Sequence, residues 1–185
     1  MNHPENTRRI AITALFTAAS LLLSFVQIPI IPAMPWLMYD PSGIVCLIAA
    51  CAFGPRLGAA TAIISWIPRL FTGPFGAIMG MVSTSCLVIP AGFIYNRHRG
   101  RAGSLAGMLI GAVISITASC ALNLVITPLY YPVFSMRDVA TMIIPFLLPF
   151  NLIKMTLHVL AAQMLLKSSM AALHSLDQRD GSTPR

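Results

Sequence analysis

A chain of 185 residues that is 57% hydrophobic, only 9% charged and +7 in net charge stands far from soluble domains, in which roughly a quarter of the residues carry charge. Ile10 to Tyr39, Leu70 to Asn96 and Ala102 to Met136 contain no Asp, Glu, Lys or Arg, and each gap exceeds the ~20 apolar residues that cross a bilayer. This excludes a soluble globule and predicts an all-α integral membrane protein, a six-helix transmembrane bundle with no room for a soluble catalytic or ATP-hydrolysing domain at roughly 20 to 30 residues per pass.

The first helix is expected from about Ile10 to Gln27. Arg8 and Arg9 before an apolar run resemble a signal peptide, but the run continues to Ile31 and meets prolines rather than a small-residue cleavage site. Pro29, Pro32 and Pro35 then force an irregular loop one that contains Trp36, Tyr39 and Asp40. Two short segments follow, Ser42 to Phe53 and Leu57 to about Ile67, separated by Gly54-Pro55-Arg56 and closed by Pro68. Short, Gly/Pro-interrupted segments in a transporter tend to line a cavity, because irregular backbone at membrane depth must be satisfied by protein or water.

The fourth helix is expected from Phe75 to Tyr95, ending at the basic string Asn96-Arg97-His98-Arg99-Gly100-Arg101, and the fifth from Ser104 to Pro128. The sixth begins around Thr141 and runs to about Leu166, so that residues 1–167 form the membrane domain and 168–185 a polar, frayed cytoplasmic tail. With six helices and both termini on one face, that face collects Arg8, Arg9, Arg56, Arg97, Arg99, Arg101, Lys167, Arg179 and Arg185, against Arg69 and Arg137 on the other. The bias places both termini in the cytoplasm. The positive charge is therefore topological, and nucleic acid is not an expected partner.

Polar groups within apolar helices are costly and mark function. Asn151, Lys154 and His158 are spaced to share one face of helix six, and Asn123 lies near the outer end of helix five. An ammonium and carboxamides facing a cavity suit a neutral or anionic ligand rich in carbonyls, hydroxyls and ring nitrogens; the competing reading is an internal hydrogen-bond network, which His158, deepest toward the cytoplasm, fits best. Lys154 has no evident intramembrane carboxylate to pair with, since Asp40 and Asp138 fall near the outer surface. Asp40 or Ser42 can cap the second helix and present a carboxylate at the outer mouth.

Small residues recur at Ala14 and Ala18, at Gly76 and Gly80, and at Gly103, Gly107, Gly111 and Ser115. Most read as close packing within the bundle, whereas Ala14 and Ala18 sit where an edge helix could meet a partner subunit. Cys46, Cys51, Cys86 and Cys120 show no metal-type spacing and read as packing residues. With no Walker A or HExxH motif and no placeable nucleophile and base, no catalytic residue, metal or cofactor is expected, and the chain is read as non-enzymatic.

Asp40-Pro41-Ser42, Gly54-Pro55 with Gly58, Leu122-Asn123 before Pro128, and Leu148-Pro149-Phe150-Asn151-Leu152-Ile153-Lys154 resemble, in order and spacing, the riboflavin-type S components of energy-coupling factor (ECF) vitamin transporters. The resemblance runs from Arg8 to about Leu166. It implies a cell-membrane subunit that captures a vitamin, riboflavin foremost, on the outer face and imports it with a membrane T component and two cytosolic ATPases. It further implies flavin contacts from the residues matching Asn123 and Lys154, a loop one that helps close the pocket, and T-component contact through Ala14 and Ala18; the substrate-binding residues expected are Asn123, Lys154, Asn151, Asp40, Tyr39 and Leu37. Two departures border the implied pocket: Gly43 stands where an acidic residue commonly follows Asp-Pro-Ser, and Ser65-Trp66 where many relatives carry Lys-Asn. Another vitamin or precursor (cobalamin, a pyridoxine-like compound, pantothenate or a pyrimidine) and a stand-alone secondary carrier are the alternatives.

Overall fold

Glycine and proline punctuate the chain where it turns. Pro55 and Pro74 stand in the first turns of their helices, where the missing N–H costs nothing. Gly54 and Gly100 take φ values of 97° and 115°, a region that a side chain resists, and each links one helix to the next. A computed structural model describes residues 3–181. In chain order these form α1 (His3–Ser24), a short ribbon of β1 (Ile28–Pro29) and β2 (Met38–Tyr39), α2 (Ser42–Phe53), α3 (Pro55–Trp66) with a 3-10 turn (Ile67–Phe71), α4 (Pro74–Arg97), α5 (Arg101–Tyr130), α6 (Met136–Met142), a π-helical turn (Ile143–Leu147) and α7 (Leu148–Gly181). The fold is all-α apart from the ribbon, and α6, the π turn and α7 together make the sixth helical rod. Arg185 lies outside the described residues, as do the side chains of Arg8, Arg9 and Arg179.

Among the described residues, three rods are long and apolar enough to cross a membrane, Pro74–Arg97, Arg101–Tyr130 and Met136–Ala171, while Ile10–Ser24 and Ser42–Phe53 are shorter apolar helices. Ile10, Leu15, Leu22, Val113, Ile144 and Met164 all point outward with at least 65% of their surface uncovered, as a lipid-facing surface requires.

Two expected boundaries move. The last rod starts a turn earlier than Thr141, because Ser135 and Asp138 form a capping box: the Ser135 hydroxyl accepts from the Asp138 N–H at 3.3 Å, and the Asp138 carboxylate accepts from the Ser135 N–H at 2.8 Å. At its other end α7 does not fray at Ser168 but continues to Gly181, the first glycine or proline after Pro149, and Met170 still packs on the core.

The tightest contact is between α4 and α5. A Cβ on Gly107 would come within 2.8 Å of the Ala91 carbonyl oxygen, and one on Gly111 would collide with the Leu87 carbonyl. One turn further, the Ser115 hydroxyl donates to the Ser83 carbonyl at 2.8 Å. The small-residue spacing is thus spent within the bundle, as expected, and Gly80 likewise accommodates the Trp66 ring. A Cβ on Gly76 would meet no other part of the fold within 4 Å among the described residues.

Cys46, Leu47, Leu87, Val88, Met108, Met155 and Val159 form the main core between α2, α4, α5 and α7, and Cys46 and Cys51 are fully buried packing residues. A second cluster, Met34, Leu37, Val139, Leu147 and Phe150, closes the end of the bundle that carries loop one. Here Trp36 stacks on Tyr131 at 5.0 Å and Phe134 at 5.9 Å. Arg69, from the 3-10 turn, donates to the carbonyl of Ser24, the last residue of α1, and lies 5.2 Å over the Trp66 ring, so an orphan helix-end carbonyl is satisfied by a cation.

Candidate ligand-binding site

The ribbon is what carries loop one into the bundle. Pairing of Ile28 with Tyr39 and Pro29 with Met38 folds the proline-rich loop back on itself, and the strand then delivers Tyr39 and Asp40 to buried positions at the head of α2. The capping role expected of Asp40 or Ser42 is not adopted, since Pro41 occupies the cap position and no side chain bonds the helix end. The Asp40 carboxylate instead accepts the Ser42 hydroxyl and the Lys154 ammonium, the latter at 2.9 Å. Asp40 is therefore not at the outer mouth, and Lys154 does have a carboxylate inside the bundle. Both side chains are nearly covered, at 5% and 11% exposure, so each charge depends on the other.

His158, one turn beyond Lys154 on the same face, donates from Nε2 to the Asp40 backbone carbonyl at 2.8 Å, and its ring lies 5.4 Å from that of Tyr39. It belongs to an internal hydrogen-bond network, as expected. The π turn sets this face. A π turn adds one residue to the helical count, which rotates everything downstream by about 100° relative to an unbroken α-helix.

A narrow cleft lies above these groups, with an open volume of only about 10 Å³, lined by Met34, Trp36 and Leu37 of loop one, Thr127 of α5, and Val139, Met142, Phe146 and Leu147 of the last rod. Of the loop-one residues singled out in the sequence, Leu37 lines this cleft, whereas Tyr39 and Asp40 do not. Asn123 and Asn151 do not line the cleft; each sits one turn deeper and is bonded to a residue that does. Asn123 accepts from the Thr127 hydroxyl at 3.0 Å while its amide donates to the Ser119 carbonyl at 2.8 Å, and the Asn151 amide donates to the Leu147 carbonyl at 2.8 Å. Going inward, the order is apolar cleft, two carboxamides, ion pair, imidazole. Sequence reasoning missed Thr127 and the lining from Val139 to Leu147; Thr127, four residues after Asn123, was the available signal.

The two departures from the resembling pattern are both filled by internal packing. Gly43 lies against the His158 ring, the Ser65 hydroxyl accepts from Ser20 at 3.1 Å, and neither Gly43, Ser65 nor Trp66 lines the cleft. Ala14 and Ala18 are exposed on α1, on the side turned away from the α1 contacts that Ser20 makes with α2 and α3.

Residues 8–166 match the family model of the ECF transporter substrate-specific component. The chain belongs to this family. Among curated relatives, this S component is 29% identical over 162 residues to "Riboflavin transporter RibU" of Staphylococcus aureus (strain TCH60), covering 83% of this chain and 85% of that one. It is 26% identical over 161 residues to "Riboflavin transporter RibU" of Streptococcus thermophilus (strain ATCC BAA-250 / LMG 18311), covering 80% and 76%, and 24% identical over 160 residues to "Riboflavin transporter FmnP" of Bacillus subtilis (strain 168), covering 80% and 84%. Its fold matches the solved "Structure and mechanism of the S component of a bacterial ECF transporter" with a TM-score of 0.77 at 23% identity, over 91% of this chain and 98% of that one. As an S component with several long apolar helices, it is a multi-pass membrane protein of a transport family.

Proposed function

We propose that this S component captures riboflavin at the outer face of a prokaryotic plasma membrane and delivers it inward with a membrane T component and two cytosolic ATPases. The observation that carries the reading is the layered site: an apolar, aromatic-bearing cleft with two carboxamides and a Lys–Asp pair directly beneath it. Riboflavin has matching parts, a flat apolar ring system, a ring edge of carbonyls and nitrogens, and a polyhydroxyl chain. Trp36, Leu37, Met142 and Phe146 suit the ring, and Asn123, Asn151 and Lys154 supply donors and acceptors for the polar groups. The riboflavin transporters among its relatives favour this ligand over other vitamins.

The chain performs no covalent step in this reading, and riboflavin is cargo rather than cofactor. Binding would exchange some of the internal bonds of Asn123, Asn151 and Lys154 for bonds to the ligand, and loop one would open and reclose over it. Six passes with both termini in the cytoplasm agree with the basic residues: Arg56 follows the Gly54 turn, Gly54 faces Asn96, and Arg97, Arg99 and Arg101 lie at the same end, opposite Trp36 and Tyr131.

The test is a fluorescence titration of riboflavin into detergent-purified protein, followed by uptake in liposomes with and without the partner subunits. Tight quenching and strictly ATP-dependent uptake are expected. Indifference to flavin, with binding of another vitamin from a panel, would replace the ligand; uptake driven by an ion gradient without the ATPases would replace the mechanism.

A further inference from the structure

The space at residue 43 and the ring at residue 158 define one another. A Cβ built on Gly43 would lie 2.7 Å from both Cε1 and Nδ1 of His158 and 3.3 Å from Nε2, so no side chain at position 43 can coexist with this ring. Imidazole also sits here at a cost: Nδ1 is buried without a partner among the described residues, in a side chain only 1% exposed. A residue kept merely to fill this volume would do better as an aromatic hydrocarbon, which leaves no nitrogen orphaned. What imidazole adds is the Nε2–H, and it is used on the backbone carbonyl of Asp40 at 2.8 Å. The ring of Tyr39, the neighbouring residue, lies against the same ring at a tilt of 42°.

We infer that His158 is a positioning residue: seated in the space left by Gly43, it holds the Tyr39–Asp40 backbone so that the Asp40 carboxylate meets Lys154, and it thereby sets the polar floor of the ligand site. The effect on ligand rests on the riboflavin reading; the effect on the ion pair does not. The β1–β2 pairing ends at Tyr39 and α2 begins at Ser42, so Asp40 lies between the two elements and its carbonyl is held by His158 rather than by a ladder partner. Its side chain is fixed at one end by Lys154 and Ser42, and its carbonyl at the other by His158. Removing the imidazole bond frees the carboxylate to drift and leaves Lys154 without a defined geometry.

His158→Phe keeps the ring and deletes the donor, while His158→Gln deletes the ring and keeps an N–H near the place of Nε2. Positioning predicts that riboflavin affinity falls roughly tenfold for Phe, the equivalent of one such bond, and stays within about threefold of wild type for Gln. A purely volumetric role predicts the opposite order, and that order would overturn the inference. Independently of ligand, thermal unfolding of H158F, K154M and the double variant should be non-additive, and additivity would also overturn it. If wild type ignores riboflavin while this coupling persists, the ligand reading fails and the positioning role stands. Should H158F not be recoverable, Gly43→Ala takes its place: it should weaken the fold, and G43A/H158A should be more stable than G43A alone. Absence of that rescue would count against the pairing of the two positions.

Discussion

The Lys154 ammonium lies 2.9 Å from a carboxylate 114 residues earlier in the chain, that of Asp40. Two charges inside a membrane bundle are tolerable together and very costly apart. Lys154→Met should therefore destabilise the protein by roughly 3–5 kcal/mol, because it strands Asp40. Asp40→Asn/Lys154→Met, which removes both charges, should recover most of that loss and still bind riboflavin poorly. Thermal unfolding in detergent beside a flavin titration checks both halves; equal stability of the single and double variants would mean that the pair is not coupled.

Asn123 makes its bonds within its own helix, to Ser119 and Thr127. Truncation there leaves the backbone ladder intact, so Asn123→Ala should barely move the unfolding temperature while costing riboflavin binding about 1–3 kcal/mol. Affinity measured by quenching at a single temperature suffices to decide, and wild-type affinity in this variant would remove Asn123 from the site.

Position 111 tolerates no side chain, since the Leu87 carbonyl occupies the space, whereas position 76 is open. Gly111→Val should separate α4 from α5 and cost roughly 3 kcal/mol or more, at or beyond the upper end of ordinary overpacking because backbone must move. Gly76→Ala should stay within about 0.5 kcal/mol of wild type. Comparing the monodisperse yield and unfolding of the two proteins separates a packing glycine from an idle one.

Ala14 and Ala18 make a smooth exposed strip on α1. If the T component docks there, Ala14→Leu/Ala18→Leu should fold and bind riboflavin as wild type does but lose ATP-driven uptake and co-purification of the T component. Normal uptake by this variant would move the partner surface elsewhere.

Which of these relationships could be read without coordinates follows from their range. The glycine and serine spacing on α5 was legible because helix periodicity alone puts Gly107, Gly111 and Ser115 in one stripe. The bounds of α2 were legible because Pro41 and Gly54 flank it. The depth of Asp40 was not, since a loop residue has no periodicity to place it, and its burial depends on the β1–β2 pairing of only two residues per strand. Nor was the Lys154 partner, a contact between distant segments. The cleft lining between Val139 and Leu147 stayed hidden because Ile143-Ile144-Pro145-Phe146-Leu147 looks like any other apolar run, although a π turn lies there.

That turn makes chain length itself a constraint. Ile143–Leu147 holds one more residue than an α-helix would need to climb the same distance, and most single substitutions in it would leave the count unchanged. Removal of one residue, Ile144 for example, would let the rod close into continuous α-helix and swing Asn151, Lys154 and His158 by about 100° away from loop one. A scan of one-residue deletions along 140–165 should accordingly show binding lost for every cut between the turn and Lys154, and retained for cuts placed beyond the core in the last turns of α7. In genetic terms, this stretch would accept changes of letter far more readily than changes of frame-preserving length.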